Sequence, residues 1–460
     1  MAKLRWILRP HEDTTNEEFS LTHIITSISR FTLIILIALY TYECFAALRR
    51  NLSEDESRGA IAAQATYIYL FILNANAVLY LNMEDVRVLA LGGCEILLVT
   101  LCRILYNKLY TNANPTVTNN LCMLLSIGLV MLERLDMGVA IKQIVFATAA
   151  LVITVFVPMM IEKLEFLSSL SYLYALVGIM LLAAVLVMGK VVYGAKLNLK
   201  LGPVTLQPSE FVKLLFVFFI ASSLYKKTDR KSIFITSLIA AVHVLILVAS
   251  KDLGSAMIFF VTYLFMIYVA TRKMSYLGLG LGFGVVACIA GYTLFSHVRV
   301  RVLAWQDPLS VVNDAGYQVS RSLFAIGSGG WFGSGLCEGM PEKIPVVSTD
   351  FIFAAISEEM GGIFALCLIF ICMSCLIMFF NISLQIREQF YKLIALGLSV
   401  CYGIQVFTTI GGVTKFIPST GVTLPLVSYG GSSIVSTMFL FAVIQGLYKR
   451  GKRELEDEEE

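Results

Sequence analysis

Long apolar runs separated by short polar connections dominate the sequence. A helix needs about 20 predominantly apolar residues to cross the hydrocarbon core of a bilayer, and most of the runs are of about that length. The pattern therefore predicts an all-α polytopic membrane protein. The thirteen predicted helices lie near residues 31–48, 60–82, 87–104, 119–134, 140–161, 169–189, 207–225, 232–250, 253–271, 274–296, 350–380, 391–413 and 430–448.

Composition agrees with this pattern. Apolar residues make up 58% of the 460 residues and charged residues 15%, whereas soluble domains carry about 25% charged residues. The formal net charge of +3 is scattered among the connections, so we expect membrane lipid and not nucleic acid as a partner. The ten cysteines lie mostly within apolar runs, without metal-ligand or disulfide spacing, and are interpreted as small hydrophobic side chains.

Basic residues in the connections between helices predict the orientation of the chain in the membrane. Lys and Arg cluster at every second connection, which the positive-inside rule places on the cytoplasmic side. The clusters are Arg49/Arg50, Arg103/Lys108, Lys163, Lys226/Lys227/Arg230/Lys231, Arg272/Lys273, Arg387/Lys392 and Lys449/Arg450/Lys452/Arg453. This topology predicts a cytoplasmic C-terminus with an acidic tail and an outer location for segments 190–206 and 297–349. It also places the N-terminus outside, although Lys3, Arg5 and Arg9 oppose the rule there.

Two polar groups on the predicted outer side lie at helix starts. In QPSEFVKL, Pro208 opens a helix, and Glu210 and Lys213 are three residues apart on one face, where they can pair. This pair is interpreted equally well as a substrate contact or as an ion pair that fixes helix packing. Asp252, beside Lys251, stands at the next predicted helix start on the outer side, and the favoured interpretation is that it caps this helix.

The outer segment 297–362 combines glycine with positive charge. Six glycines between Gly327 and Gly339 allow the backbone to bend sharply or to approach a ligand closely. Basic residues on the translocated side are unusual, and they suggest a phosphate-bearing ligand. These residues are Arg299, Arg301, Arg321 and Lys343. Asp350 follows at the start of a helix, where it is either a dipole-matched first-turn residue or a functional acid.

A second irregular outer segment, 415–433, contains two prolines, three glycines and six Ser or Thr residues, among them Ser428 and Ser432. Non-helical backbone at membrane depth is tolerated only within protein or along a cavity. We therefore interpret the segment as a re-entrant cavity wall, with an irregular external loop as the alternative.

The sequence carries neither a Ser/His/Asp nucleophile set nor a nucleotide-binding fingerprint, so no nucleotide cofactor is expected.

Six stretches of the sequence together carry a resemblance to a known family. They are MLLSIGLVMLERLDMGVAIKQIVFA (123–147), QPSEFVKL (207–214), DLGSAMIFF (252–260), GYQVSRSLFAIGSGGWFGSG (316–335), STDFIFAAISEEMGG (348–362) and IPSTGVTLPLVSYGGSS (417–433). In this order and spacing they closely resemble the SEDS family (shape, elongation, division and sporulation), which includes RodA, FtsW and SpoVE. The resemblance implies a ten-helix core at 119–460, with the large outer loop 297–349 and the acidic tail. Residues 1–118 then form an N-terminal extension with about three helices.

The resemblance also implies an activity, which is the polymerisation of lipid II into glycan strands on the outer face of the cytoplasmic membrane of a bacterium. A class B penicillin-binding protein is the implied partner. The acid of the TDFIFA motif is Asp350 here, with a role as general base, and Ser348 stands where many relatives have His. A divalent cation, Mg²⁺ or Mn²⁺, is a further expectation. The candidate substrate-binding residues are Glu210, Lys213, Lys196, Lys200, Asp252, Arg299, Gln318, Arg321, Lys343, Ser428 and Ser432.

Two other classes of protein remain open at this stage. A flippase that moves a lipid-linked precursor would also bury polar residues between helices, but it should have key charges near the membrane midplane. A structural scaffold would tolerate replacement of Asp350. The motifs do not distinguish roles in elongation, division or sporulation.

Overall fold

The computed structural model describes residues 14–49, 53–110, 113–192, 195–201, 204–226 and 228–459. The predicted orientation draws on several basic residues outside this part of the chain, namely Lys3, Arg5, Arg9, Arg50 and Lys227. Sixteen α-helices are present in the described ranges. They are α1 (Thr14–Ala46), α2 (Glu54–Met83), α3 (Val86–Leu109), α4 (Pro115–Leu135), α5 (Met137–Thr154), α6 (Val157–Lys163), α7 (Ser171–Met188), α8 (Pro208–Leu224), α9 (Arg230–Ala249), α10 (Leu253–Thr271), α11 (Met274–Leu294), α12 (Ser296–Gln306), α13 (Tyr317–Gly329), α14 (Ile352–Gln385), α15 (Gln389–Val413) and α16 (Gly431–Glu459).

The helices confirm the all-α polytopic membrane fold. Each predicted apolar run coincides with a helix, and twelve helices in the described ranges are long and apolar enough to cross a membrane, with α5 and α6 forming one span. Helix α8 has 17 residues and spans about 25 Å. It packs among other helices and is buried along most of its length. The ten cysteines are free and seven are buried, so most pack as small hydrophobic side chains, as expected.

Helix α4 lies at the centre of the molecule and joins its N-terminal helices to the rest. Nearly the whole helix is buried. Asn120 of α4 links two other helices. Its Oδ1 accepts a hydrogen bond from Tyr40 Oη of α1 (2.8 Å), and its Nδ2 donates to Ser374 Oγ of α14 (2.9 Å). The boundary expected after residue 118 thus falls inside α4, which starts at Pro115.

The glycine-rich segment 327–339 packs against the backbone of α14. Helix α14 is interrupted at Gly361, whose φ is +91°, a backbone conformation that suits glycine. The interruption frees backbone groups that pair with the segment, including Ser334 N to Glu358 O (2.9 Å) and Gly362 N to Gly330 O (2.8 Å). A Cβ built on Gly333 would lie 2.3 Å from Glu359 O. These glycines therefore allow close packing on α14, whereas the sequence had also suggested approach to a ligand.

A small antiparallel sheet, which the sequence analysis did not predict, occupies the segment between α7 and α8. Its strands are β1 (Lys190–Val192), β2 (Ala195–Leu201) and β3 (Val204–Leu206), in the order β1-β2-β3. The sheet is tied to the turn before α10 by a hydrogen bond from Lys196 N to Ser250 O (3.1 Å). The acidic residues of the predicted tail lie on α16, which continues as a helix to Glu459.

Candidate active site

Asp350 lies in the turn that precedes α14, and the irregular segment 415–433 holds this turn in place. Tyr429 N donates to Ser348 O (2.8 Å), and Ser428 Oγ donates to Thr349 O. Gln143 of α5 fixes the same part of the segment, since its Nε2 donates to Ser428 O (3.1 Å). The backbone immediately before Asp350 is therefore constrained, and the Asp350 side chain is only partly exposed.

Arg301 of α12 reaches the same place. Its Nη1 donates to Ser419 O (3.2 Å) and Thr420 O (3.0 Å). A Cβ built on the next residue, Gly421, would lie 3.5 Å from Asp350 Oδ2 and 3.7 Å from Arg301 Nη2. Gly421 has a φ of +74° and leaves room for both side chains. A carboxylate oxygen and a guanidinium nitrogen thus lie near the same point beside Gly421.

The charge state of Asp350 depends on three influences. Burial raises the pKa of Asp350 above its ordinary value, while a hydrogen bond with the Thr349 side chain and the positive charge of Arg301 oppose that rise. A raised pKa strengthens a carboxylate as a proton acceptor, provided that it is still ionised at the working pH. Arg301 keeps its charge at any physiological pH and so favours the ionised form.

His297, one turn before Arg301 on α12, adds a further polar group. Its pKa is lowered by burial and by the positive charges of Arg301 and Lys251, so the imidazole is neutral near pH 7. Its Nε2 is buried and lacks a hydrogen-bond partner in the described part of the chain, and the same holds for Thr420 Oγ1. Such atoms need a partner from water or a ligand, which marks this surface as a place where a polar molecule can bind.

Asp252 and Ser209 link this surface to α8. Asp252 caps α10, accepting from Ser255 N (3.1 Å), and also accepts from Ser209 Oγ (3.1 Å). Burial raises its pKa. The structure therefore gives Asp252 the capping contact that the sequence favoured. Ser432, another sequence candidate, contacts the start of α8 by accepting a hydrogen bond from Gln207 N (2.8 Å).

The predicted Glu210–Lys213 pair is present and fully engaged. Lys213 Nζ lies 2.6 Å from Glu210 Oε2 and donates to Gln405 Oε1 of α15 (2.6 Å). Ser436 of α16 donates to the same Glu210 oxygen (2.9 Å). Gln405 Nε2 in turn donates to Thr423 O of the irregular segment (3.1 Å). The pair thus fixes three helices and supports the segment that carries Gly421.

The other basic and polar candidates lie apart from Asp350 and Arg301, and several of them contact other residues. Lys196 Nζ donates to Leu186 O (2.8 Å), the Arg321 guanidinium lies 5.2 Å from the centre of the Tyr317 ring, and Lys343 Nζ lies 2.8 Å from Met340 Sδ. The remaining three are exposed, namely Lys200, Arg299 and Gln318. In the described residues, none of these six side chains has a contact with Asp350.

Arg301, the residue that does face Asp350, was not selected by the sequence analysis as a substrate-binding candidate. Arg299 was chosen in its place from the same positively charged stretch. A separation of two residues along a helix corresponds to a rotation of about 200°, so Arg299 and Arg301 point to nearly opposite sides of α12. Which side of α12 faces Asp350 depends on how α12 packs against segment 415–433. This packing includes a hydrogen bond from Trp305 Nε1 to Lys415 O (3.1 Å).

The surroundings of Asp350 do not fit a resident divalent cation. Among the described residues no cluster of three or more His, Cys, Asp or Glu side chains converges on one point. The adjacent charge is the Arg301 guanidinium, which repels a cation. Mg²⁺ or Mn²⁺ would need several more oxygen ligands than this chain supplies there.

Comparison with known proteins places the sequence in a family. Residues 109–452 match the profile of the FtsW/RodA/SpoVE family, described as cell cycle proteins. The chain belongs to this family. It is 31% identical over 371 residues to the peptidoglycan glycosyltransferase RodA of Mycobacterium tuberculosis, covering 74% of this chain and 79% of the relative. It is 34% identical over 290 residues to a probable peptidoglycan glycosyltransferase FtsW of Aliivibrio salmonicida, covering 60% and 71%.

Solved structures show the same fold. A chain of a peptidoglycan synthase complex that coordinates polymerization and crosslinking superimposes with a TM-score of 0.63 at 24% identity, covering 74% of this chain and 99% of that one. The RodA protein of Thermus thermophilus superimposes with a TM-score of 0.55 at 24% identity, covering 74% and 97%. This family member is thus a multi-pass membrane protein, and its helices α1–α3 precede or barely overlap the matched residues.

Proposed function

We propose that this chain is a peptidoglycan glycosyltransferase that polymerises lipid II, with Asp350 as general base. The observation that carries the proposal is the partly buried Asp350 carboxylate beside Arg301, at the end of a bundle of membrane helices. The names of the relatives RodA and FtsW support the same activity. The chain then acts in cell elongation, division or sporulation.

The chemistry assigns a step to each group. Asp350 accepts the proton of the acceptor sugar hydroxyl as that oxygen bonds to the anomeric carbon of the donor. The bond from that carbon to undecaprenyl pyrophosphate breaks, and the pyrophosphate departs with the electron pair. General base assistance contributes about 10²–10⁴-fold, so positioning and stabilisation of the leaving group supply the rest. Arg301, whose positive charge acts on Asp350, is the group proposed to stabilise the departing pyrophosphate.

The proposal includes an orientation and a partner. Asp350 and segment 297–349 lie on the outer face of the cytoplasmic membrane and the C-terminus lies inside, as the distribution of Lys and Arg predicts. A class B penicillin-binding protein is the proposed partner, and the similarity of the fold to a chain of a peptidoglycan synthase complex is consistent with it. A requirement for Mg²⁺ or Mn²⁺ stays a prediction, and such a cation would be held mainly by the pyrophosphate of the substrate and not by a site in this chain.

The test is polymerisation of purified lipid II by the full-length chain with its partner. Asp350→Asn keeps the shape of the side chain but removes its basicity, so we expect the rate to fall by at least about 100-fold. Asp314→Asn is the matched control, because Asp314 is exposed in the same outer segment, and it should retain the wild-type rate. Normal glycan synthesis by Asp350→Asn would refute the assignment. A wild-type chain that moves lipid II across vesicle membranes without polymerising it would instead support a flippase.

A further inference from the structure

A hydroxyl-rich cavity lies at the end of α8 opposite Glu210. Its volume is about 300 Å³, and it is enclosed by the last turn of α8, the first turns of α7 and α9, and the short 3₁₀ helix Glu165–Ser169. Six serines, one threonine, two tyrosines and Lys226 line it, with three apolar side chains. Since α8 is about 25 Å long, this cavity is separate from the Asp350 site and has no part in the chemistry proposed there.

The charges around the cavity favour an anion. Lys226 lines it, and Arg230 and Lys231 are exposed at the adjoining start of α9. Asp229 is the acidic neighbour on the same connection, but its carboxylate is engaged in capping α9, accepting from Ser232 N (3.3 Å) and Ser232 Oγ (2.7 Å). Helix α7 begins at the cavity without a side-chain cap, so the N–H groups of its first turn add to the favourable potential.

The walls beside the cavity face lipid. Leu173 and Leu176 of α7 are 50% and 55% exposed, and Phe234 and Leu238 of α9 are 68% and 57% exposed. Exposed apolar side chains on membrane-spanning helices contact acyl chains. A ligand that fits both surroundings has a polar, negatively charged end for the cavity and apolar chains for the flanking helices.

The geometry points to a binding site for one anionic phospholipid with a hydroxylated headgroup, of the phosphatidylglycerol class, from the leaflet opposite the Asp350 site. The phosphate lies near Lys226, the headgroup hydroxyls exchange hydrogen bonds with the serine side chains, and the acyl chains lie along α7 and α9. A cavity of 300 Å³ is at the small end for ligand pockets, about 300–1,000 Å³, which suits a headgroup and not a whole lipid. Basic clusters beside membrane helices recognise anionic lipids in this way.

Native mass spectrometry of the full-length chain tests the site, with phosphatidylglycerol and phosphatidylcholine supplied in equal amounts. We expect preferential retention of phosphatidylglycerol by the wild type and a loss of about fivefold in its occupancy in Lys226→Ala, the effect of one lysine at a lipid surface. Lys226 is exposed, so this variant should fold. Lys226→Arg keeps the charge and should bind as the wild type does.

Lys273→Ala is the matched control. Lys273 is exposed after the last turn of α10, at the same end of the bundle but outside the cavity, and its replacement should leave phosphatidylglycerol occupancy unchanged. Equal losses in Lys226→Ala and Lys273→Ala, or equal retention of both lipids by the wild type, would overturn the proposal in favour of unspecific attraction. Displacement of the lipid by excess soluble glycerol 1-phosphate would also overturn it, because the cavity would then be a site for a soluble anion.

Discussion

Arg301 and Asp350 approach the same side of Gly421, so that a Cβ at residue 421 would lie 3.7 Å from Arg301 Nη2 and 3.5 Å from Asp350 Oδ2. The guanidinium is held there by the carbonyl groups of Ser419 and Thr420. Its position therefore does not depend on Asp350. A fixed positive charge beside the proposed base should set the pH at which that base becomes protonated.

The first prediction concerns the pH dependence of polymerisation. Burial raises the pKa of Asp350, and Arg301 opposes that rise. Activity needs the ionised carboxylate, so it should fall as the pH decreases through this pKa, at a higher pH than for an ordinary aspartate. Arg301→Gln removes the opposing charge and should move the acidic limb of kcat/KM to still higher pH. Arg299→Gln, the control on the other side of α12, should leave the limb in place, and equal shifts in both variants would contradict a specific Arg301–Asp350 interaction.

The second prediction concerns Gly361, where α14 is interrupted. A Cβ there would lie 2.3 Å from Gly333 N, and φ is +91°. Gly361→Ala should lower the free energy of unfolding by at least about 1–3 kcal/mol from the backbone conformation alone, with a further loss from the overlap. Thermal unfolding in detergent, followed by size-exclusion chromatography, measures this. Gly327→Ala is the control, because no atom lies within 4 Å of its Cβ position; equal stability of the two variants would contradict the packing described for α14.

Hydrophobic patterning predicted the helices because a helix that crosses the hydrocarbon core needs about 20 predominantly apolar residues, whether they contact lipid or other helices. The same reasoning could not predict which glycines contact protein. Gly333 and Gly339 suggested room for a ligand, but Gly333 lies against the backbone of α14 and Gly339 against the Glu359 side chain, contacts between residues that are distant in sequence. Sequence reasoning selected Asp350 through a motif and missed Arg301, because the facing side of a short polar helix is decided by tertiary packing.

The third prediction concerns the buried pair on α8. Glu210→Gln would leave the Lys213 ammonium with only neutral partners in a buried site, so we expect a loss of about 3–5 kcal/mol in stability and a lower abundance in membranes. Replacing both members, as Glu210→Gln with Lys213→Met, removes the unpaired charge and should recover much of the stability. Quantitative immunoblotting and thermal unfolding report both effects. Wild-type abundance and stability of Glu210→Gln alone would show that the pair does not support the fold.

The fourth prediction concerns the attachment of the N-terminal helices. Asn120 joins α1 to α14 through Tyr40 Oη and Ser374 Oγ, whereas its neighbour Asn119 bonds Gln64 of α2 (3.0 Å) and accepts from Arg103 Nε of α3 (3.1 Å). Asn120→Leu should leave the buried Tyr40 hydroxyl without its acceptor, at about 1–3 kcal/mol, remove the hydrogen bond to Ser374, whose hydroxyl still donates to Ile371 O (2.8 Å), and loosen α1. Hydrogen–deuterium exchange should therefore rise in α1 for Asn120→Leu and in α2 and α3 for Asn119→Leu. The same exchange pattern in both variants would mean that the three helices are released as one unit and that Asn120 holds α1 no more than Asn119 does.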